Sequence, residues 1–147
     1  MVGTRRGALV WDLQAQREVA KLPVRDQRSD TWALTLLHSG ATTLLAAATR
    51  EGIHIWDTAG WAPQTRITTP WTKSLAAVAL TPTHQLLASG SGHAVHLWDP
   101  ASGELLHSLI TAAPVDTIVS ATENESVFIA IGGPAGLAVL RVNLPAL

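Results

Sequence analysis

The chain has 147 residues, of which 47% are apolar and 14% charged, and its formal net charge is −1. This composition predicts one globular domain with a sizeable core and excludes a disordered chain. The net charge is close to zero, so the sequence has no excess of basic residues, and we expect neither nucleic acid nor a membrane surface as a partner. Because the sequence has no cysteine, disulfides and thiolate chemistry are excluded.

The N-terminal residues lack an export signal, because Asp12 and Gln14 interrupt the first apolar stretch. No later apolar run is long enough to span a membrane as a helix. We therefore expect a cytoplasmic protein. The Ala- and Thr-rich, Lys-poor composition is typical of a bacterial protein from a GC-rich genome.

Short apolar or alternating segments, separated by turn residues, predict a chain made of β-strands. In chain order the strands are predicted at residues 2–4, 7–12, 17–22, 32–37, 43–48, 53–56, 65–68, 74–80, 85–89, 93–98, 104–109, 115–120, 127–131 and 137–142. The polar, charged segment 25–30 is predicted to be a loop. No window shows a helical apolar stripe, and we expect neither a linker nor a second domain.

Three units of the chain end their third strand with the same dipeptide: Trp11-Asp12, Trp56-Asp57 and Trp98-Asp99. Successive tryptophans are 45 and 42 residues apart. A further 42 residues reach Leu140-Arg141, where the dipeptide is lost. A repeat of this length with four short strands per unit is typical of β-propellers.

The chain resembles the WD-repeat β-propeller family over nearly its whole length. The likeness is sharpest within residues 71–103, in the segments 77–82, 86–91 and 95–99. The resemblance implies an all-β fold of blades with four antiparallel strands, in which the three Trp-Asp pairs are structural and their tryptophans buried. In the family's arrangement, Trp32 and Trp71 occupy the entry to the innermost strand.

The sequence also departs from the family pattern. The Gly-His dipeptide before the innermost strand is absent from every unit. Arg50-Glu51 and Gly92-His93 stand where a turn aspartate is expected. The family's His–Ser–Asp–Trp hydrogen-bond chain therefore cannot be assembled in full, and we expect apolar packing to carry more of the stability.

The resemblance divides the chain into about three and a quarter blades, whereas complete propellers have about four to eight. We expect the end of a blade at 1–26, full blades at 27–69 and 70–111, and a blade without its last strand at 112–147. This incomplete ring predicts a fragment or C-terminal part of a larger propeller. Alternatively, two copies join into a ring of about six blades, although strands 7–12 and 137–142 would then compete for one slot.

Candidate catalytic and metal-binding residues are few. His54 and His96 occupy equivalent positions on neighbouring blades, too far apart to share one zinc ion at a bond of about 2 Å. Ser89 and Ser91 precede a strand, whereas a nucleophile elbow leads into a helix. Asp116 is the one acid that we expect near the propeller axis. The sequence therefore predicts no enzyme, no cofactor and no metal site.

The function predicted from the sequence is a non-catalytic scaffold that binds partner proteins through loops on rigid sheets. Its candidate partner contacts are Trp32, Arg50, Trp61, Trp71 and His93. Trp61 follows a turn and has no counterpart in the next unit, so it is either a packing residue or a contact anchor. The alternatives are a self-assembling half-propeller, a carbohydrate-binding propeller that uses Trp61 or Trp71, and an enzymatic propeller.

Overall fold

The computed structural model describes residues 2–4, 7–22, 30–69, 71–81, 83–124 and 126–143. These residues form fourteen strands: β1 (Val2–Thr4), β2 (Gly7–Asp12), β3 (Arg17–Leu22), β4 (Thr31–Ser39), β5 (Thr42–Thr49), β6 (Gly52–Asp57), β7 (Pro63–Ile67), β8 (Thr72–Thr81), β9 (His84–Ser91), β10 (Ala94–Trp98), β11 (Leu105–Ile110), β12 (Thr117–Glu123), β13 (Ser126–Gly133) and β14 (Gly136–Asn143). The predicted all-β class is confirmed. Within the described ranges, no helix is long and apolar enough to cross a membrane.

Antiparallel pairing joins the described strands into three sheets of three, eight and three strands. The eight-stranded sheet divides into two four-stranded halves, and we count each half as a sheet, which gives four successive sheets. The first sheet has the order β1-β2-β3, the second β4-β5-β6-β7, the third β8-β9-β10-β11 and the fourth β12-β13-β14. A single pair, Ser39 with His84, joins β4 to β9 and thereby the second sheet to the third. The blade limits drawn from the sequence stay predictions, and most of the loop predicted at 25–30 lies outside the described residues.

Strand β5 shows why a continuous apolar run forms a strand here. Leu44, Leu45 and the three alanines that follow are at most 3% exposed, so both faces of β5 are covered. The turn after β5 needs a glycine, because Gly52 has a φ of 136° and an added Cβ would lie 2.1 Å from the carbonyl oxygen of Ile67. The apolar run and this turn together fix β5 and β6 as a hairpin.

Three cores fill the junctions between successive sheets. Between the first and second sheets lie Val10, Leu22, Leu45, Ala47 and Trp56. Between the second and third lie Leu37, Leu44, Ala46, Ala48, Ile53, Ile55, Ile67, Leu75, Leu87 and Trp98. Between the third and fourth lie Ala76, Val78, Leu86, Ala88, Val95, Leu97, Val115, Ile118, Val127, Ile129 and Ile131. Because side chains alternate along a strand, each sheet gives one face to each neighbour.

The junction between the third and fourth sheets also contains polar bonds between their first strands, β8 and β12. The amide of Ile118 donates to Ser74 Oγ at 2.8 Å. The hydroxyl groups of two residues on β12 donate to backbone carbonyls of β8, in the pairs Ser120 with Ala77 and Thr122 with Ala79. The first strands of neighbouring sheets therefore lie side by side, which brings the chain segments that precede them to one end of the molecule.

Candidate functional site

Three of the five predicted partner contacts meet at one end of the second and third sheets. Trp32 is the second residue of β4, and Trp71 directly precedes β8. Arg50 lies in the turn between β5 and β6. Because β4 and β8 are the first strands of neighbouring sheets and β5 is antiparallel to β4, these positions fall at the same end of the two sheets.

The three side chains stack on one another. The rings of Trp32 and Trp71 have centroids 5.4 Å apart and an interplanar angle of 13°. The guanidinium carbon of Arg50 lies 5.5 Å from the centroid of the Trp71 ring, within the range of a cation–π interaction. We call Arg50, Trp71 and Trp32 the tryptophan–arginine stack. Trp71 is 56% exposed and Trp32 is 37% exposed, so the stack presents aromatic surface to solvent.

The backbone of Trp71 is in the left-handed region, with a φ of 50°. A bulky side chain pays roughly 1–2 kcal/mol for this conformation, which therefore has to be stabilised by its surroundings. The Trp71 ring contacts Trp32 and Arg50, and these contacts can stabilise the left-handed backbone. Strain of this kind at an exposed aromatic residue favours a role in binding over a role in the core.

Charged residues around the stack pair with one another. Arg66 lies 3.1 Å from Glu51, the residue after Arg50. Lys73, two residues after Trp71, lies 3.5 Å from Asp116. The Lys73–Asp116 pair is exposed and the Arg66–Glu51 pair is partly exposed, so both contribute little stability. The acid that the sequence placed near the axis, Asp116, is thus paired with a lysine of the neighbouring sheet.

The other two predicted contacts lie outside the stack. The ring of Trp61 is half-buried against the core between the first and second sheets, beside Trp56, although its backbone is also left-handed at a φ of 58°. This position fits the packing alternative. His93 is exposed in the turn between β9 and β10, the counterpart of the turn that carries Arg50, and its carbonyl accepts a bond from the amide of Thr111 at 2.8 Å.

The aspartates of the three Trp-Asp dipeptides all make the same hydrogen bond. In each case the Oδ1 atom accepts a bond from the amide two residues later: Asp12 from Gln14, Asp57 from Ala59 and Asp99 from Ala101, at 2.8–2.9 Å. This bond closes an Asx-type turn after the strand. The tight turn explains why an aspartate follows the tryptophan in all three units.

The repeat tryptophans differ in burial. Trp56 is 2% and Trp98 is 9% exposed, as predicted, but Trp11 is 48% exposed, so the prediction that all three are buried is wrong for Trp11. Trp56 packs on the first sheet and Trp98 on the second, whereas the described residues place no sheet over Trp11. Burial thus depends on the neighbouring sheet and not on the repeat alone.

The hydroxyl of Ser89 has a partner that sequence reasoning missed. The indole Nε1 of Trp98 donates to Ser89 Oγ at 2.8 Å, and Ser89 is fully buried. A serine and a tryptophan, two residue types of the His–Ser–Asp–Trp chain in the family that the sequence resembles, are therefore hydrogen-bonded in the third sheet. The sequence held the signal, because Ser89 stands three residues before Gly92, where the turn to β10 begins, and lies on the strand that pairs with β10.

The two histidines that precede the buried tryptophans lie on the same sheet face as those tryptophans. His54 stacks on Trp56 at 5.8 Å, and His96 lies at the same distance from Trp98. Burial, and then the positive charge of Arg66, lower the pKa of His54 below 6.5, while Glu51 acts in the opposite direction. Among the described residues no three His, Asp or Glu side chains are grouped to hold a metal ion, and the absence of a metal stays a prediction.

Comparisons with known proteins find similarity in solved structures. No protein-family model matches the chain, and no curated protein matches it. Hydrazine synthase from Kuenenia stuttgartiensis is similar with a TM-score of 0.57 and 12% identity, over 77% of this chain and 32% of that chain. Dihydro-heme d1 dehydrogenase NirN in complex with DHE has a TM-score of 0.63 and 14% identity, over 97% of this chain and 32% of that chain.

A third similar structure is the Mitotic Checkpoint Complex, with a TM-score of 0.62 and 17% identity, over 93% of this chain and 51% of that chain. The chain therefore spans about a third to a half of the length of the proteins it resembles. At these identities the likeness concerns the fold and assigns no activity.

The predicted absence of enzyme activity needs correction. Two similar structures are named as a synthase and a dehydrogenase, so this fold occurs in enzymes and the prediction that the chain is not an enzyme is contradicted. The fold prediction stands: the chain has an all-β, propeller-like architecture of successive antiparallel sheets.

Proposed function

We propose that the chain is an interaction module of the WD-repeat propeller type that binds a partner protein at the tryptophan–arginine stack. The observation that carries this proposal is the exposure of two stacked tryptophans beside an arginine. The Trp-Asp repeat, its Asx-type turns and the bond from Trp98 to Ser89 support the WD-repeat assignment. The likeness to a chain of the Mitotic Checkpoint Complex agrees with a role in an assembly. A cytoplasmic location and a bacterial source stay predictions.

The stack has the residue composition of a hot spot in a protein–protein interface. Tryptophan and arginine are the residues most enriched among interface positions whose loss costs more than about 2 kcal/mol. Here the rings of Trp32 and Trp71 already rest on each other. Their side chains therefore lose less conformational entropy on binding than isolated tryptophans would.

The chemistry of Arg50 narrows the kind of partner. Its guanidinium carbon lies over the Trp71 ring, and the N–H donors of a guanidinium lie in the plane of the group. Those donors match a carboxylate, while the exposed rings match an aromatic or proline side chain. We therefore propose that the partner presents a peptide segment in which an acidic residue neighbours an aromatic residue or a proline.

A displayed library of random peptides tests this proposal directly. Peptides selected on the immobilised full chain should be enriched in acidic residues beside aromatic residues or proline. Trp71→Ala should weaken their binding at least about 30-fold, as expected for an interface anchor. Arg50→Gln should weaken mainly the acidic peptides. The exposed Leu105→Ala on the outer strand β11 is the control and should leave binding unchanged.

Two results would overturn the proposal. Selected peptides that bind the Trp71→Ala variant as well as the original chain would place the contact elsewhere. A glycan array gives the second result, because the carbohydrate alternative also uses Trp71. The proposal would be wrong if no peptide were selected and the chain instead bound a glycan selectively. Loss of that glycan binding in Trp71→Ala would show that the stack binds carbohydrate.

A further inference from the structure

The junctions between sheets are built from two different faces. On β6, Ile53 and Ile55 point towards the third sheet, and Trp56 points towards the first. On β10, Val95 and Leu97 point towards the fourth sheet, and Trp98 towards the second. We call the face with the aliphatic pair the forward face and the face with the tryptophan the rear face. Every junction joins a forward face to a rear face.

The first and last sheets follow the same alternation. On β2, Val10 lies in the core shared with Trp56, so Trp11 is on the rear face. On β14, Leu140 packs on the core shared with the third sheet, so Leu137 and Val139 are on the forward face. Leu137 and Val139 are each 42 residues after Val95 and Leu97, in agreement with the repeat.

Exposure separates these two outer faces from the inner ones. Ile53, Ile55, Val95 and Leu97 are at most 1% exposed, whereas Leu137 is 76% and Val139 is 59% exposed. Val139 continues a cross-strand row with Ala130 and with Val119, which is 62% exposed. At the other end Trp11 is 48% exposed. The described residues therefore leave open one forward face and one rear face, which are the two halves of the same junction.

We propose that two copies of the chain stack head to tail, with the rear face at Trp11 of one copy against the forward face at Val139 of the other. A second copy is the occupant that continues the existing junctions, because each copy carries both halves of the contact. The contact is heterologous, because it joins two different faces, so the assembly is closed only if it forms a ring. Two copies joined by two such junctions form a ring.

The ring would contain eight sheets, within the usual range of about four to eight. A ring of about six blades would make strands 7–12 and 137–142 compete for one slot. In the ring of eight sheets they do not compete, because β2 and β14 lie in separate three-stranded sheets. This inference does not depend on the tryptophan–arginine stack, which lies on the second and third sheets. A negative result for peptide binding at the stack would therefore leave the association of copies untouched, and the reverse also holds.

Sedimentation velocity of the full chain over a range of concentrations tests the proposal. We expect a species of twice 15.5 kDa. Trp11→Glu and Val139→Lys should each weaken the association at least about 30-fold, as expected for central interface positions. Both side chains are exposed within one copy, so the melting temperature of the separated copies should fall by no more than a few degrees. Leu105→Glu, on the exposed outer strand β11, is the control and should still form the pair.

Mixing the two variants makes the test specific for head-to-tail contact. A pair of one Trp11→Glu chain and one Val139→Lys chain keeps one unaltered junction, and both substitutions meet in the other. An equimolar mixture should therefore recover association that neither variant shows alone. No recovery would overturn the head-to-tail arrangement. An original chain that stays at 15.5 kDa, or that forms an open-ended ladder of larger species, would overturn the closed pair.

Discussion

The second and third sheets carry the same strand motif and stabilise it differently. In the third sheet, Trp98 donates its indole N–H to Ser89. In the second sheet, Ala47 occupies the position of that serine and offers no side-chain acceptor, yet Trp56 is at least as well buried. Cover from the neighbouring sheet is therefore the general requirement for this tryptophan, and the buried hydrogen bond is a local addition.

Removal of the covered tryptophan rings should destabilise the fold more than any other change considered below. Trp98→Ala and Trp56→Ala should each lower the free energy of unfolding by about 3–5 kcal/mol, because each leaves a cavity between two sheets. Trp11→Ala, at the equivalent exposed position, should cost less than about 1 kcal/mol at concentrations where copies are separate. Urea denaturation measures all three. Equal losses would show that the tryptophan acts through its own sheet and not through its neighbour.

The turns before β6 and β10 give the next largest difference. Gly52→Ala should destabilise strongly, because its Cβ would meet the backbone oxygen of Ile67 at 2.1 Å. Gly92→Ala adds a Cβ into open space at a φ of 55°, so it should cost only the left-handed strain of about 1–2 kcal/mol. Thermal melts of the two variants provide the comparison, and a larger loss at Gly92 would contradict it.

The hydrogen bond in the third sheet should have a smaller, separable effect. Ser89→Ala leaves the buried N–H of Trp98 without its acceptor and should cost about 1–3 kcal/mol. Trp98→Phe removes the donor, so Ser89→Ala should cost less in that background. A double-mutant cycle from denaturation curves measures this coupling. Additive losses would mean that the bond contributes nothing.

The second sheet should also give stability a pH dependence, which we expect to be weaker than the losses above. The lowered pKa of His54 means that the unfolded chain takes up this proton at a higher pH than the folded chain. Stability should therefore be constant well above about pH 6.5 and should fall as the pH drops from there towards the folded pKa. His54→Gln should remove part of that fall in denaturation curves between pH 7.5 and 5.5. The same loss in the variant and the original chain would contradict the role of His54.

Much of the strand pattern was predictable because it depends on local chemistry. Gly, Pro, Asp and Ser mark the turns, and the Trp-Asp repeat fixes which segment is the third strand of a unit. The observed strands extend the predicted ones by a residue or more at several ends, such as Thr31–Ser39 against 32–37. Hydrogen bonding continues there past the apolar pattern, into polar residues that the alternation rule does not recognise.

The candidate site was predictable in its residues but not in its geometry. Trp32, Arg50 and Trp71 were each singled out, but their stacking depends on the angle and spacing between two sheets, which no local pattern encodes. The exposure of Trp11 was missed for a related reason. A repeat makes its units look equal, whereas burial is decided by what lies beside each unit.

The three cores each bridge two successive sheets, and this has a consequence for motion. Within one separate copy, a sheet in the middle is held from both sides, while the first and fourth sheets are held from one side. In such a linear stack, opening starts at the ends and moves inwards. At concentrations where the copies are separate, amide hydrogen exchange should therefore be fastest in β2 and β14 and slowest in β5 and β9, so protection should rise from both ends of the stack towards its middle.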